Sequence, residues 1–117
     1  MNDKAVVWVG TSKDDISALP VPVKASFGHR LRLIQNGKAV MEAKALPQFG
    51  SGVFELRDGY DGEAYRIMYV INLKDAIYVL HAFQKKSKSG IGLPRRDAEL
   101  IAQRLKLARA LSREALT

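Results

Sequence analysis

The stretch that decides the fold runs from Val53 to Lys86: VFELRDGYDGEAYRIMYVINLKDAIYVLHAFQKK. Three runs in it, residues 53–58, 63–72 and 75–86, are rich in β-branched and aromatic residues. The links between them, GYDG and LK, have hairpin length, so the segment reads as an antiparallel meander. Alternation assigns the faces. Phe54, Leu56, Tyr65, Ile67, Tyr69, Ile71, Ile77, Val79, His81 and Phe83 form an apolar set expected to pack on helices. Val53, Ala64, Met68, Val70, Tyr78, Leu80 and Ala82 share the other face with Glu55, Arg57, Arg66, Gln84 and Lys86. These polar groups are expected to gather as a cationic patch on a half-open side of the sheet. By the same parity Lys85 points away from it, and His81 reads as a satisfied core histidine.

Outward from the meander, AVVWVG (residues 5–10) reads as a short strand ending at glycine. TSKDDISAL follows as a helix, with Thr11 or Ser12 at the N-cap and Asp14 and Asp15 in the first turn, where the helix dipole favours acids. Pro20 and Pro22 separate it from a second helix, in which Val23, Phe27, Leu31 and Ile34 recur at helical spacing and Asn36-Gly37 ends the run. The two form a helical hairpin. AKALPQFGSG (residues 43–52) carries proline and closely spaced glycines and reads as a loop. Past Gly90 and Gly92, a helix opens at Pro94, with Asp97 and Glu99 near its positive end. Ala98, Ile101, Ala102, Leu105 and Ala108 make its apolar stripe. The expected class is α+β, a single domain over residues 1–117.

Composition narrows the chemistry. The chain has no cysteine and two histidines, His29 and His81, so disulfides and thiolate sites are excluded and a zinc or iron centre is not expected. Neither a signal peptide nor a run of about 18 apolar residues is present, which leads to the expectation of a cytoplasmic protein. The formal charge of +7 is uneven. Residues 85–117 hold nine Lys/Arg against three Asp/Glu, whereas residues 1–84 hold ten against nine. Such a basic C-terminal third favours a polyanionic or acidic partner.

The order strand, helical hairpin, "KAL…GVFELRDG…AYRIMYVI…IYVLHAFQKKS" and a proline-started helix resembles the HigB-like, phage-derived branch of the RelE/ParE toxin superfamily, from about Val6 to Ala108. The resemblance implies a RelE-like fold and the toxin of a type II toxin–antitoxin system. It implies a cofactor-free and metal-free mRNA endoribonuclease working with the ribosome, neutralised by a small antitoxin with a helix-turn-helix domain. It further implies that Arg66 stands beside the scissile phosphate and that Lys86 is the basic residue ending the last strand. Where RelE proper carries catalytic lysines this chain has Val53 and Glu55, and the C-terminal tyrosine of RelE proper has no counterpart. The ParE branch, which poisons DNA gyrase, shares the fold.

Metal-free RNA cleavage needs a base at the 2′-hydroxyl, cations around the phosphorane and an acid for the leaving oxygen. Arg66 suits the second role, since a guanidinium can grip two phosphate oxygens; a strand arginine on a solvated face is its plainer reading. Lys86 is a candidate to hold the leaving group or neighbouring phosphates, or is a charged strand end that discourages edge pairing. Arg57 is a candidate for phosphate or for a pair with Glu55 or Asp58, and Glu55 for a base or for a partner of either arginine. Lys44, Lys85, Lys88, Arg95 and Arg96 are candidates for RNA contacts, or for plain solvation. The ribonuclease reading requires Arg57, Arg66 and Lys86 to meet at one anion-sized pocket; the three scattered over different surfaces, or tied up in internal ion pairs with no open groove beside them, would overturn it.

Overall fold

The meander forms where the alternation places it. In the computed structural model of the chain, which describes residues 3–85 and 93–117, strands β3 (Val53–Tyr60), β4 (Glu63–Val70) and β5 (Ala76–Lys85) pair antiparallel. The β3–β4 turn is only Asp61-Gly62, with φ of 52° and 78°. Two successive left-handed residues match the twist of the flanking strands, so β3 runs on through Gly59 and Tyr60. Strand β1 (Ala5–Trp8) lies parallel to β5, which makes the five-stranded sheet mixed, in the order β1-β5-β4-β3-β2.

Strand β2 (Lys44–Ala45) falls inside the segment expected to be a loop. It pairs with β3, Lys44 opposite Glu55 and Ala45 opposite Phe54, and satisfies part of an otherwise open edge. Pro47 opens a single 3₁₀ turn, Pro47–Phe49, directly after it. Helix α1 spans Ser12–Ser17 and α2 spans Val21–Gln35, with Pro22 in its first turn and Gly37 at φ 78° after its end. Thr11 holds the N-cap position of α1, yet its hydroxyl donates to Asp15 Oδ2 rather than capping. Ser12 is buried and donates to the Val79 carbonyl. Helix α3 spans Arg95–Ala115. Among the described residues no helix is long and apolar enough to cross a membrane.

Both faces of the sheet are covered, which corrects the expectation of a half-open side. Val23, Phe27 and Leu31 of α2 and Ile16 of α1 pack on Leu56, Ile67, Tyr69, Ile77 and Val79. Ile101, Leu105 and Ala108 of α3 pack on Val53, Met68, Val70, Tyr78 and Leu80. Ser112 continues the buried stripe of α3, whereas Ala102 lies exposed on its flank.

The pairing of β4 with β5 slips once: Met68 opposes His81 and Tyr69 opposes Val79, leaving Leu80 as an extra residue in β5. Such a bulge inverts the parity of everything beyond it. Before the bulge Tyr78 faces α3 and Val79 faces α2; after it Phe83 packs on the α3 side and Ala82 on the α2 side. His81 and Phe83 therefore do not share a face with Ile77 and Val79. Lys85, opposite Ala64, joins the α3 side with Arg66, and Gln84, opposite Tyr65, leaves it.

Candidate functional site

Three strands bring the polar residues of the meander together on the α3 side. Arg57 of β3 stands directly opposite Arg66 of β4, and Arg66 opposite Phe83 of β5. In the adjacent rows, Lys44 stands opposite Glu55, and Ala64 opposite Lys85. Two arginines facing each other across a ladder repel. Glu55 resolves that repulsion from two residues along β3, on the same face. Its Oε2 accepts from Arg66 Nε at 2.7 Å and lies 2.6 Å from Arg66 Nη2. Its Oε1 accepts from Arg57 Nε at 3.2 Å and lies 3.1 Å from Arg57 Nη2. Each carboxylate oxygen is thus gripped by a guanidinium fork.

Burial separates the two arginines. The side chains of Glu55 and Arg66 are 1% and 3% exposed, that of Arg57 44%. Arg66 Nη1 is buried and has no hydrogen-bond partner among the described residues. The Arg66 guanidinium lies 5.7 Å from the centre of the Phe83 ring, and Phe83 stacks at 4.6 Å on His81. An arginine with one edge on a carboxylate, its face near an aromatic ring and one nitrogen unsatisfied has spare donor capacity for one more acceptor.

His81 is buried, as a core histidine should be, but among charges. Its Nε2 is 2.8 Å from Asp97 Oδ1, in the first turn of α3. Its Nδ1 has no hydrogen-bond partner among the described residues and lies 3.8 Å from Asp15 Oδ2. Asp15 in turn meets Arg104, whose guanidinium also donates to the Leu80 carbonyl and the Thr11 hydroxyl. Asp97 therefore ties α3 to the sheet as well as suiting the helix dipole. The sequence concealed this cluster because the bulge moved His81 to the other face.

The remaining candidates are placed less centrally. Lys44 and Lys85 are on the same face as Glu55 and Arg66. Arg95 is exposed and paired with Glu99, and Arg96 is exposed in the same turn. Lys86 and Lys88 lie outside the described residues. Two of the three groups required at one pocket are thus adjacent, but both are engaged with Glu55, and Arg66 is covered rather than open. A groove of 590 Å³ between α2 and β3, lined by Ser26, His29, Arg30 and Glu42 among others, touches the cluster only through Arg57. Among the described residues no three His, Cys, Asp or Glu converge as a metal site would require.

Elsewhere, burial raises the Tyr69 hydroxyl to about 12, against a small opposing effect of Arg30. Burial and then the Asp75 carboxylate raise Tyr78 to about 12. For Asp75 burial pulls upward, but hydrogen bonds from Ser112 and Tyr78 outweigh it and hold the carboxyl below its ordinary value.

Comparison with known proteins agrees with this architecture. Residues 14–106 match the family described as phage derived protein Gp49-like, and the chain belongs to that family. Among solved structures, it is similar to a chain of the toxin–antitoxin complex RelBE2 from Mycobacterium tuberculosis. That similarity has 20% identity and a TM-score of 0.52 over 74% of this chain and 97% of that one. It is also similar to an arginine-to-alanine double mutant of the E. coli toxin RelE in the free state. There the identity is 13% and the TM-score 0.59 over 91% of this chain and 97% of that one. The fold is RelE-like. No curated protein matches the sequence.

Proposed function

We propose that the protein is the toxin of a type II toxin–antitoxin pair, of the HigB-like kind, and that it cleaves mRNA on the ribosome without a metal. The observation that carries the reading is the cross-strand pair Arg57–Arg66, held in register by Glu55 with one buried arginine nitrogen unsatisfied. In this reading Arg66 Nη1 and the half-exposed Arg57 take the non-bridging oxygens of the scissile phosphate, where charge grows as the 2′-oxygen attacks. Both Glu55 oxygens already accept guanidinium protons, so its part is to align the arginines rather than to act as base. Lys44 and Lys85, on the same face, and Lys86, Lys88, Arg95 and Arg96 supply cations to the flanking backbone. The partner is a small antitoxin with a helix-turn-helix domain. Likeness to a chain of a toxin–antitoxin complex supports an antitoxin partner.

The test is expression in a host with primer-extension mapping of mRNA ends. Cuts confined to translated regions, lost in Arg57→Ala and in Arg66→Lys with folding retained, are the expected result. Arg66→Lys keeps a buried cation for Glu55 but loses the fork, so it separates phosphate recognition from folding. Intact transcripts during growth arrest would overturn the nuclease reading.

One observation favours a second reading. Arg66 is buried and ion-paired, as a structural arginine would be. A gyrase poison of the ParE kind, or an inactive phage-borne binding module, would keep the cluster for stability alone. Inhibition of DNA supercoiling by the purified protein, with translation unaffected, identifies the poison; loss of neither process identifies the module.

A further inference from the structure

We infer that the flank of α3 facing the β2–β3 connection is a second RNA-docking surface, distinct from the Arg57–Arg66 cluster, that grips the phosphate backbone of structured RNA. Two contiguous grooves run along this flank. One, of 530 Å³, is lined by Gln48, Phe49, Ala102, Lys106, Arg109 and Arg113 among others. The other, of 410 Å³, shares Arg109 and Arg113 and adds Asn72, Lys74 and Leu116. Among the described residues no carboxylate lines either groove. Lys106, Arg109 and Arg113 follow at three- and four-residue spacing, so they lie on one side of the helix.

A solubilising helix face carries both signs in intramolecular pairs, and five other arginines of this protein are so held: Arg32 by Asp3, Arg57 and Arg66 by Glu55, Arg95 by Glu99, Arg104 by Asp15; among the described residues Arg30 and Arg96 are not. Among the described residues Lys74, Lys106, Arg109 and Arg113 have no such partner. The connecting loop also makes room for them. A Cβ at Gly50, whose φ is 102°, would stand 3.2 Å from Arg109 Nη2, so the bare glycine lets the loop approach the guanidinium.

Recognition by a protein partner draws its energy from buried apolar and aromatic anchors. The exposed leucines of the body of α3, Leu107 and Leu111, lie around the helix from the basic flank, by the 100° per residue of an α-helix. Among the described residues Leu116, at the end of the second groove, is the one exposed large apolar side chain of this flank, and Lys106, Arg109 and Arg113 supply the regularly spaced cations that a phosphate backbone needs.

The surface rests on the RNA-directed reading of the function, and the test separates the two. Fluorescence anisotropy with a labelled RNA duplex of arbitrary sequence is measured against salt for the natural protein and for K74A/K106A/R109A/R113A, all four positions being exposed. The four-fold variant is expected to bind at least about ten-fold more weakly near 0.1 M salt, with the log–log salt slope shallower by about three. The variants K106E and R113E are expected each to weaken binding in proportion, which keeps the test decisive if the four-fold change perturbs folding. Unchanged affinity and slope would overturn the surface, as would loss of polyglutamate binding without loss of RNA binding. Absent mRNA cleavage together with the expected slope change would sink the nuclease and leave the surface standing.

Discussion

At the residue scale the decisive feature is that Glu55 serves two arginines at once. Removing it does not simply delete two ion pairs. It leaves Arg66 buried without a counter-charge and opposite another cation. Breaking a buried pair from one side costs about 3–5 kcal/mol, whereas replacing both members by apolar residues of similar volume is often neutral. Glu55→Ala is therefore expected to lower unfolding free energy by that amount in urea titrations. The double change Glu55→Leu, Arg66→Met is expected to recover most of it. If the single substitution costs under about 1 kcal/mol, Arg66 has a counter-charge other than Glu55. Gly52 is a second such position. Its φ is 82°, and a Cβ there would come within 2.3–2.8 Å of the Asn72 side chain, which is bonded to Ser51. Gly52→Ala is expected to cost more than about 1 kcal/mol in the same titration, since backbone strain adds to the clash.

At the element scale, what the sequence revealed and what it hid have one physical boundary. The three strands, the helical hairpin and α3 were legible because apolar periodicity and turn residues are local signals. The register slip at Leu80 is set by how β4 and β5 meet, and no local pattern announces it. One extra residue sent Lys85 to the site face and His81 to the acidic side of α3, against the alternation. The closeness of Arg57 to Arg66 was legible, since the β3–β4 ladder that pairs them has no slip; the burial of Arg66 was not, because strand alternation does not say how a face is covered. The tie between β5 and the end of α3 was equally hidden. Ser112 and Tyr78 donate to Asp75 at 2.5 and 2.6 Å. Because the folded-state carboxyl is held below its ordinary value, the stability it contributes is full above the unfolded-state pKa and lost as pH falls through the folded one. Asp75→Asn is expected to flatten that acid limb, seen as a smaller fall in thermal midpoint between neutral pH and about pH 3. An unchanged limb would show that Asp75 does not contribute to it.

At the scale of the whole molecule, one sheet serves as the wall of two cores. Phe27 of α2 is wholly buried on one side and Leu105 of α3 nearly so on the other, with β-strands between them. Neither core can be lost without exposing the apolar back of the strands that line the other, so the chain should unfold in one step, as domains under about 150 residues usually do. Leu105→Ala and Phe27→Ala are each expected to cost about 2–5 kcal/mol through lost burial and cavity formation. Because the two side chains share no partner, their costs should add to within about 0.5 kcal/mol in the double variant, with the denaturant slope unchanged. The measurement is urea unfolding followed by both far-ultraviolet circular dichroism and Trp8 fluorescence, the tryptophan packing on the α2 side. Coincident transitions in all three variants would support the shared wall. If Leu105→Ala instead produced an early dichroism phase that Trp8 does not see, α3 would be an independently detachable layer. The core that α3 forms with Val53, Met68, Val70 and Tyr78 would then open at a lower cost than unfolding, while the core beneath α2 kept the fold.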